Sequence, residues 1–298
     1  MGCATAAPQT GVVLVNSSAE TRTRHALRMI ERHNPALNAV IAVDPTALDQ
    51  ARAVDARGVI PGRVAGMPIL VKDNIETLGP LPTTAGSLAL IDNVTNRDAP
   101  LVARLRQAGA VIVGKANLSE WANIRDDDSI SGWSAVGGQT RNPHALNRNA
   151  CGSSTGSAVA VAAGMVPAAI GTETDGSVTC PAAVTGIVGF KPTVGLVSRT
   201  HVVPISHSQD TPGPFARTVS EAAAVLTAMA GSDPADLATK DADLHRTQYE
   251  SALSAHSLRG RRIGVMRFAT GFGTDAAFEE ALRTLQAQGA TLVDIKEF

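Results

Sequence analysis

Two serine- and glycine-rich segments, Cys151-Gly152-Ser153-Ser154-Thr155-Gly156-Ser157 and Gly171-Thr172-Glu173-Thr174-Asp175-Gly176-Ser177, flank a run of small apolar residues over 158–170. Gly164 and Pro167 break that run, and it is too short to cross a bilayer, which takes about 20 apolar residues. It reads as a small-residue helix over 154–165, then a strand over 167–172 that delivers the second serine segment. Side chains this small suit close packing of helices on a buried sheet. The same bias pervades the chain, where aromatics are 3%.

The remaining pattern alternates helix and strand. Ser17 followed by Glu20 is a capping-box pattern that opens a helix to about His33. Residues 39–43 read as a strand, 45–57 as a helix stopped by Gly58, and 68–71 as a strand running into Lys72-Asp73-Asn74. A helix over 98–108 precedes a β-branched strand over 110–113. A polar stretch over 125–149 has the character of an active-site loop. Further expected elements are a strand over 186–190, a helix opened by Thr218 and Glu221, and a polar linker over 231–243. A final βαβ unit is expected over 262–266, 275–288 and 291–295. Such alternation predicts an α/β layered fold. It fits a single domain over 1–298: a helical segment over about 17–57, a catalytic core over about 64–232, and the start of a further portion over about 258–298.

Bulk properties remove several functions. With 26 basic and 27 acidic residues the formal charge is -1, and no basic run offers a nucleic-acid surface. Met1-Gly2-Cys3 leads into small polar residues rather than a basic, then apolar, secretory leader. The three cysteines, Cys3, Cys151 and Cys180, suggest neither a paired framework nor a metal site, and point to a reducing, cytoplasmic setting. The phosphate-loop, zinc-helix and EF-hand patterns are absent from the sequence.

What remains is a serine chemistry. Ser177 follows a strand and the Asp175-Gly176 turn, so successive backbone N–H groups can face one concavity and hold an oxyanion; the competing reading is a turn serine that caps the next helix. A serine hydroxyl needs a base. Of seven histidines, His25, His33, His245 and His256 read as solvated, His201 has no assigned role, and His144 and His207 lie in loops without an orienting acid. Lys72 is the other route. An ordinary lysine, with a pKa of about 10.4, is neutral in only about one molecule in a few thousand at pH 7, and burial would lower that pKa. Its competing reading is a snorkelling lysine paired with Asp73. Gly152 to Gly156 formally match a nucleophile elbow centred on Ser154, but a polar loop stands where that motif needs a strand. Ser153 or Ser154 as a helix N-cap is the plainer reading. Cys180 reads as a small buried side chain.

Together these residues resemble the amidase signature family. The Gly/Ser segment at 151–157, the nucleophile segment at 171–177 and Lys72 in Lys72-Asp73-Asn74 match its motifs, as do the stretches 137–143 and 186–193. The likeness is strong over about 36–233. The wording of 206–214 and of Glu173-Thr174-Asp175-Gly176-Ser177 is similar to the bacterial peptide amidases. The resemblance implies a mixed β-sheet core with helices on both faces, and a chain that is C-terminally incomplete against the family's usual length. It implies Ser177 as nucleophile, Lys72 as ultimate base, and Ser153 as a bridging serine behind a cis Gly152–Ser153 peptide. Thr174, Asp175, Gly176 and Ser177 would supply the oxyanion hole, and Ser154 would support the lysine by hydrogen bonding. No cofactor or metal is implied.

Two departures shape the expected substrate. Thr179 stands where many members carry an arginine that pairs with a substrate carboxylate, which favours neutral or amidated substrates. Thr174-Asp175-Gly176-Ser177 differs from the Thr-Gly-Gly-Ser wording of the tRNA-dependent amidotransferases. The expected activity is hydrolysis of a carboxamide, with peptide C-terminal amides as one substrate class. The rival readings are the glutamine-amidase component of a tRNA-dependent amidotransferase and an inactive, shortened relative. The expected partners are a small-molecule or peptide amide and a second copy of the chain in a homodimer, with neither nucleic acid nor membrane.

Overall fold

The computed structural model describes residues 17–247, 249–254, 256–267, 271 and 273–297; Met1, Gly2 and Cys3 lie outside them. The chain divides into two compact units, Met1–Gln248 and Tyr249–Phe298.

In the first unit, α1 (Ala19–Leu37), β1 (Val40–Val43), α2 (Ala47–Ala56), β2 (Pro68–Lys72), α3 (Pro100–Gln107) and β3 (Val111–Ala116) follow in order. Next come a small hairpin of β4 (Trp133–Ser134) and β5 (Gly138–Gln139), then α4 (Thr155–Ala162), β6 (Ala168–Glu173), α5 (Thr179–Thr185), β7 (Val188–Gly189), β8 (Thr211–Ala216), α6 (Val219–Met229) and α7 (Ala242–His245). The second unit holds β9 (Arg262–Met266), α8 (Asp275–Ala287) and β10 (Thr291–Ile295), with β9 and β10 parallel, which is the expected βαβ arrangement.

Six strands form one mixed sheet in the order β1-β3-β2-β6-β8-β7. β3, β2 and β6 are mutually parallel, and β1, β8 and β7 pair antiparallel with their neighbours. Alternate residues sort to the two faces. Leu70, Val111, Val113, Ala169 and Phe215 share one apolar cluster with α1, α2, α4 and α5. The equally buried Ile69, Val71, Ile112 and Ile170 are the intervening positions, and α6 packs on β6, β7 and β8 with α3 against it. The expected α/β layers are therefore present.

Local chemistry sets the boundaries. The cap of α1 is Ser18, whose Oγ accepts from the Thr21 N–H, rather than Ser17, and the helix runs past the expected His33 to a left-handed Asn38. Thr218 and Glu221 do form the reciprocal capping box that opens α6. Strand β8, written Thr-Pro-Gly-Pro-Phe-Ala, and helix α5 lie in segments where the sequence pattern indicated no element. The polar stretch over 125–149 contains the β4–β5 hairpin.

The cysteine expectation is overturned: Cys151 and Cys180 form a disulfide with their Cα atoms 6.0 Å apart. Cys180 therefore is not the simple buried thiol that its size suggested. No helix among the described residues is long and apolar enough to cross a membrane, and no group of three or more His, Cys, Asp or Glu among them could hold a metal.

Candidate active site

The parallel register of β2 and β6 pairs Val71 with Ile170, so both strands deliver their C-terminal residues to the same sheet edge. Ligands in open α/β sheets bind beyond such carboxyl ends. Here Lys72 ends β2, Thr172 and Glu173 end β6, and the loop into α4 brings Ser153 between them. Two glycines allow the approach of α4. A Cβ on Gly171 would lie 2.6 Å from Ser154 Oγ, and one on Gly156 would lie 2.3 Å from the Ala39 carbonyl oxygen.

Lys72 Nζ donates to Ser153 Oγ at 2.7 Å, and Ser153 Oγ donates to Ser177 Oγ at 3.1 Å. Lys72 and Ser153 are fully buried, and Ser177 is 7% exposed. The Gly152–Ser153 peptide is cis, as the resemblance implied, and the Ser153 carbonyl accepts from the Ser119 N–H at 3.0 Å. Lys72 also donates to Thr172 Oγ1 at 2.9 Å and to the Thr172 carbonyl at 3.3 Å. Burial pulls the Lys72 ammonium from the usual lysine range to about 7, against the opposing attraction of Asp210 and Glu173. A neutral amine is thus well populated near pH 7.

Ser154 differs from its expected role. Its hydroxyl donates to the Thr172 carbonyl at 3.0 Å and accepts from the Thr172 N–H at 3.2 Å, so it reaches the lysine only through Thr172. It occupies the N-cap position of α4 without making a side-chain cap bond. Asp73 is not the partner of Lys72 either. It accepts from the Thr84 N–H and hydroxyl and lies 3.5 Å from Lys115 Nζ.

Glu173 shapes the turn that carries Ser177 by accepting from the N–H groups of Val178 and Thr179, at 2.6 and 2.7 Å. The Thr174 hydroxyl donates to Asp210. The N–H groups of Asp175, Gly176 and Ser177 donate to no protein acceptor among the described residues. The histidines stand aside. His144 Nε2 is 2.8 Å from the Thr185 carbonyl, and His207 meets Arg199 through its carbonyl. A cavity of about 650 Å³ opens beside Asn74, Thr172, Thr174, Val202, Ile205 and Asp210. A second, of about 740 Å³, lies by Pro68 and Pro167 at the opposite strand ends; Lys72, Ser153 and Ser177 line neither cavity.

Sequence reasoning missed Thr172, whose Oγ1 also accepts from Asn74 Nδ2 at 3.0 Å. It missed Lys115 and Asn117 as well. The Asn117 amide donates to the Asn38 and Gly138 carbonyls and to Thr140 Oγ1, and accepts from the Leu118 N–H and the Ser134 hydroxyl. An isolated lysine and asparagine after a strand carried no signal of these contacts.

The sequence model of the family described as Amidase matches residues 22–297. This chain belongs to the amidase family. Among curated proteins, the amidase chain is 44% identical over 275 residues to a probable amidase of Arabidopsis thaliana, covering 90% of this chain and 53% of that protein. It is 45% identical over 286 residues to a glutamyl-tRNA(Gln) amidotransferase component of Acidothermus cellulolyticus, covering 93% and 55%. Among solved structures, the peptide amidase of Stenotrophomonas maltophilia superposes with a TM-score of 0.89 at 51% identity, covering 94% of this chain and 59% of that one. The amidase chain spans just over half the length of each of these relatives.

Proposed function

We propose that this amidase hydrolyses a neutral carboxamide to a carboxylic acid and ammonia through an acyl-enzyme on Ser177, with peptide C-terminal amides as the favoured substrates. The observation that carries the reading is the buried, hydrogen-bonded line from Lys72 Nζ through Ser153 Oγ to Ser177 Oγ, at one end of which burial lowers the lysine pKa to about 7.

With Lys72 neutral, the line reverses its donor sense. As Ser177 Oγ attacks the carbonyl carbon, its proton passes to Ser153 Oγ while the Ser153 proton passes to Lys72. The carbonyl oxygen becomes an oxyanion facing the N–H groups of Thr174, Asp175, Gly176 and Ser177; one such donor is worth about 2.7–4 kcal/mol. On collapse the C–N bond breaks, and the proton returns from Lys72 through Ser153 to the leaving nitrogen. Water then attacks the ester, activated by the same relay. Ser154 contributes by fixing the Thr172 main chain on which Lys72 rests.

Two features support a neutral substrate end. Thr179 offers no cation near Ser177, and its N–H is committed to Glu173. Arg199, which lines the adjacent cavity, is held along its Nε–Nη2 edge by Asp236, at 2.9 and 2.6 Å, and donates through Nη1 to the His207 carbonyl. The likeness to a solved peptide amidase points the same way. Similarity to the amidotransferase component supports a second reading, in which the chain releases ammonia from glutamine for a partner.

The test is ammonia release from amidated peptides and from glutamine by the parent, Ser177→Ala and Lys72→Ala. Turnover of amidated peptides by the parent alone supports the proposal. Glutamine turnover that rises with a tRNA-linked acceptor supports the second reading. Equal turnover by all three proteins removes the relay.

A further inference from the structure

The segment that carries Ser153 and the segment that carries Ser177 are joined covalently. Cys151 immediately precedes the Gly152–Ser153 peptide, and Cys180 lies three residues after Ser177 in the first turn of α5. Beside the disulfide, the same segments are tied by the 3.1 Å contact of the two hydroxyls, by a 3.2 Å bond from the Ser154 N–H to the Ser177 carbonyl, and by the Ser154 hydroxyl bonded to the Thr172 carbonyl and N–H; of these only the first two reach Ser177 itself. Both ends of the disulfide are anchored. Cys151 adopts a left-handed φ of 59°, which is unfavourable for a side chain with a Cβ. It is held by its own N–H donating to Asn149 Oδ1 at 2.7 Å and by its carbonyl accepting from Thr155 Oγ1 at 2.5 Å. The Cys180 N–H donates to the Gly176 carbonyl at 2.8 Å, which closes the turn that presents Ser177. Both cysteines are partly exposed, within reach of a solution thiol.

We propose that the Cys151–Cys180 disulfide is a positioning brace that holds Ser153 Oγ in register with Ser177 Oγ, and that a dithiol cleaving it slows acylation without unfolding the chain. The inference rests on the relay proposed above. In the cleavage step two electrons and two protons pass from the dithiol to the cysteines. The protein S–S bond breaks, two protein thiols form, and the dithiol closes its own disulfide. Reoxidation reverses the step. The brace acts on the Ser153–Ser177 separation and touches neither Lys72 nor the substrate, so it affects turnover rather than binding or the protonation of the amine. A misplacement of about 1 Å can cost about a hundredfold in rate.

The test uses the full chain in a Cys3→Ser background, which leaves only this pair. Fluorophosphonate labelling at Ser177, kcat and KM on an amidated dipeptide, and circular dichroism are measured for oxidised, dithiothreitol-reduced and reoxidised protein. Reduction should lower labelling rate and kcat about tenfold or more, with KM within about twofold, and reoxidation should restore them. The pH midpoint of activity and the circular dichroism should not move. A Cys151→Ser, Cys180→Ser variant should match the reduced protein and ignore dithiothreitol. Equal rates in the two redox states would overturn the brace, as would a dithiothreitol response that persists in the double variant. Loss of the folded signal on reduction, or a change in KM alone, would also overturn it. If oxidised protein is not labelled at Ser177 at all, the relay itself is wrong and the brace falls with it.

Discussion

Lys115 Nζ lies 3.5 Å from Asp73 Oδ1, so the carboxylate beside Lys72 in sequence is paired with a different lysine. Lys115 lies near the end of β3, where the parallel register pairs it with Val71 and pairs Lys72 with Ala116, so the two lysines fall on alternate positions of neighbouring strands. Both lysines are buried. Lys115 is held by Asp73, the Ile75 carbonyl and Thr83 Oγ1, whereas Lys72 has no carboxylate within ion-pair distance among the described residues. Burial lowers the pKa of both lysines, but only Lys115 is tied into an ion pair.

The two lysines should therefore separate stability from activity. Asp73→Asn leaves Lys115 buried without its counter-charge and should destabilise the chain by about 3–5 kcal/mol. Lys72→Met removes a buried charge with no carboxylate partner and should leave stability unchanged or higher, with activity lost. Chemical denaturation of both variants beside the parent checks this, and a strongly destabilised Lys72→Met would contradict it.

Ser153→Ala removes the hydroxyl between the proposed base, Lys72, and the proposed nucleophile, Ser177. Loss of one proton-transfer group costs about 10²–10⁴ in rate. The fall should lie in kcat, with KM little changed, because Ser153 is fully buried behind Ser177. Steady-state kinetics on an amidated dipeptide resolves the split.

Thr172→Val deletes the oxygen that accepts from Lys72 at 2.9 Å. A hydrogen bond to the charged form favours that form, so its loss should lower the Lys72 pKa further. The alkaline rise of the pH–rate profile should move to lower pH, and movement to higher pH would assign Thr172 a different role.

Gly171→Ala puts a methyl 2.6 Å from both Ser154 Oγ and Phe215 Cε2. Overpacking of this kind costs about 1–3 kcal/mol. Because β6 is displaced from α4, turnover should fall along with melting temperature. An unchanged melting point would contradict the close approach.

Much of this was legible before the fold was known. The apolar run of β2 and the small residues of α4 and β6 announce themselves by burial alone, and the capping box of α6 is a local signature. Strand β8 was hidden because Pro212, Gly213 and Pro214 oppose a strand reading, yet pairing with β6 carries it across all six positions. Helix α5 is only seven residues long and has too few turns to show a period. The disulfide spans 29 residues in a chain with a third cysteine, and spacing alone specifies no pairing there. The relay residues were legible as motifs, but Lys72 and Ser153 are 81 residues apart. Their contact depends on the β2–β6 register, which the sequence does not display.

The most direct test of the account is the pH dependence of Ser177 acylation, followed by fluorophosphonate labelling and peptide mapping. Burial lowers the Lys72 pKa to about 7, so the reactive neutral amine is lost as pH falls through that value and is fully present above it. The labelling rate should rise through a midpoint near pH 7 and then level off, with the label on Ser177 and the rise abolished in Lys72→Ala. A midpoint in the ordinary lysine range, above about pH 10, or a pH-independent rate, would contradict the buried-lysine relay.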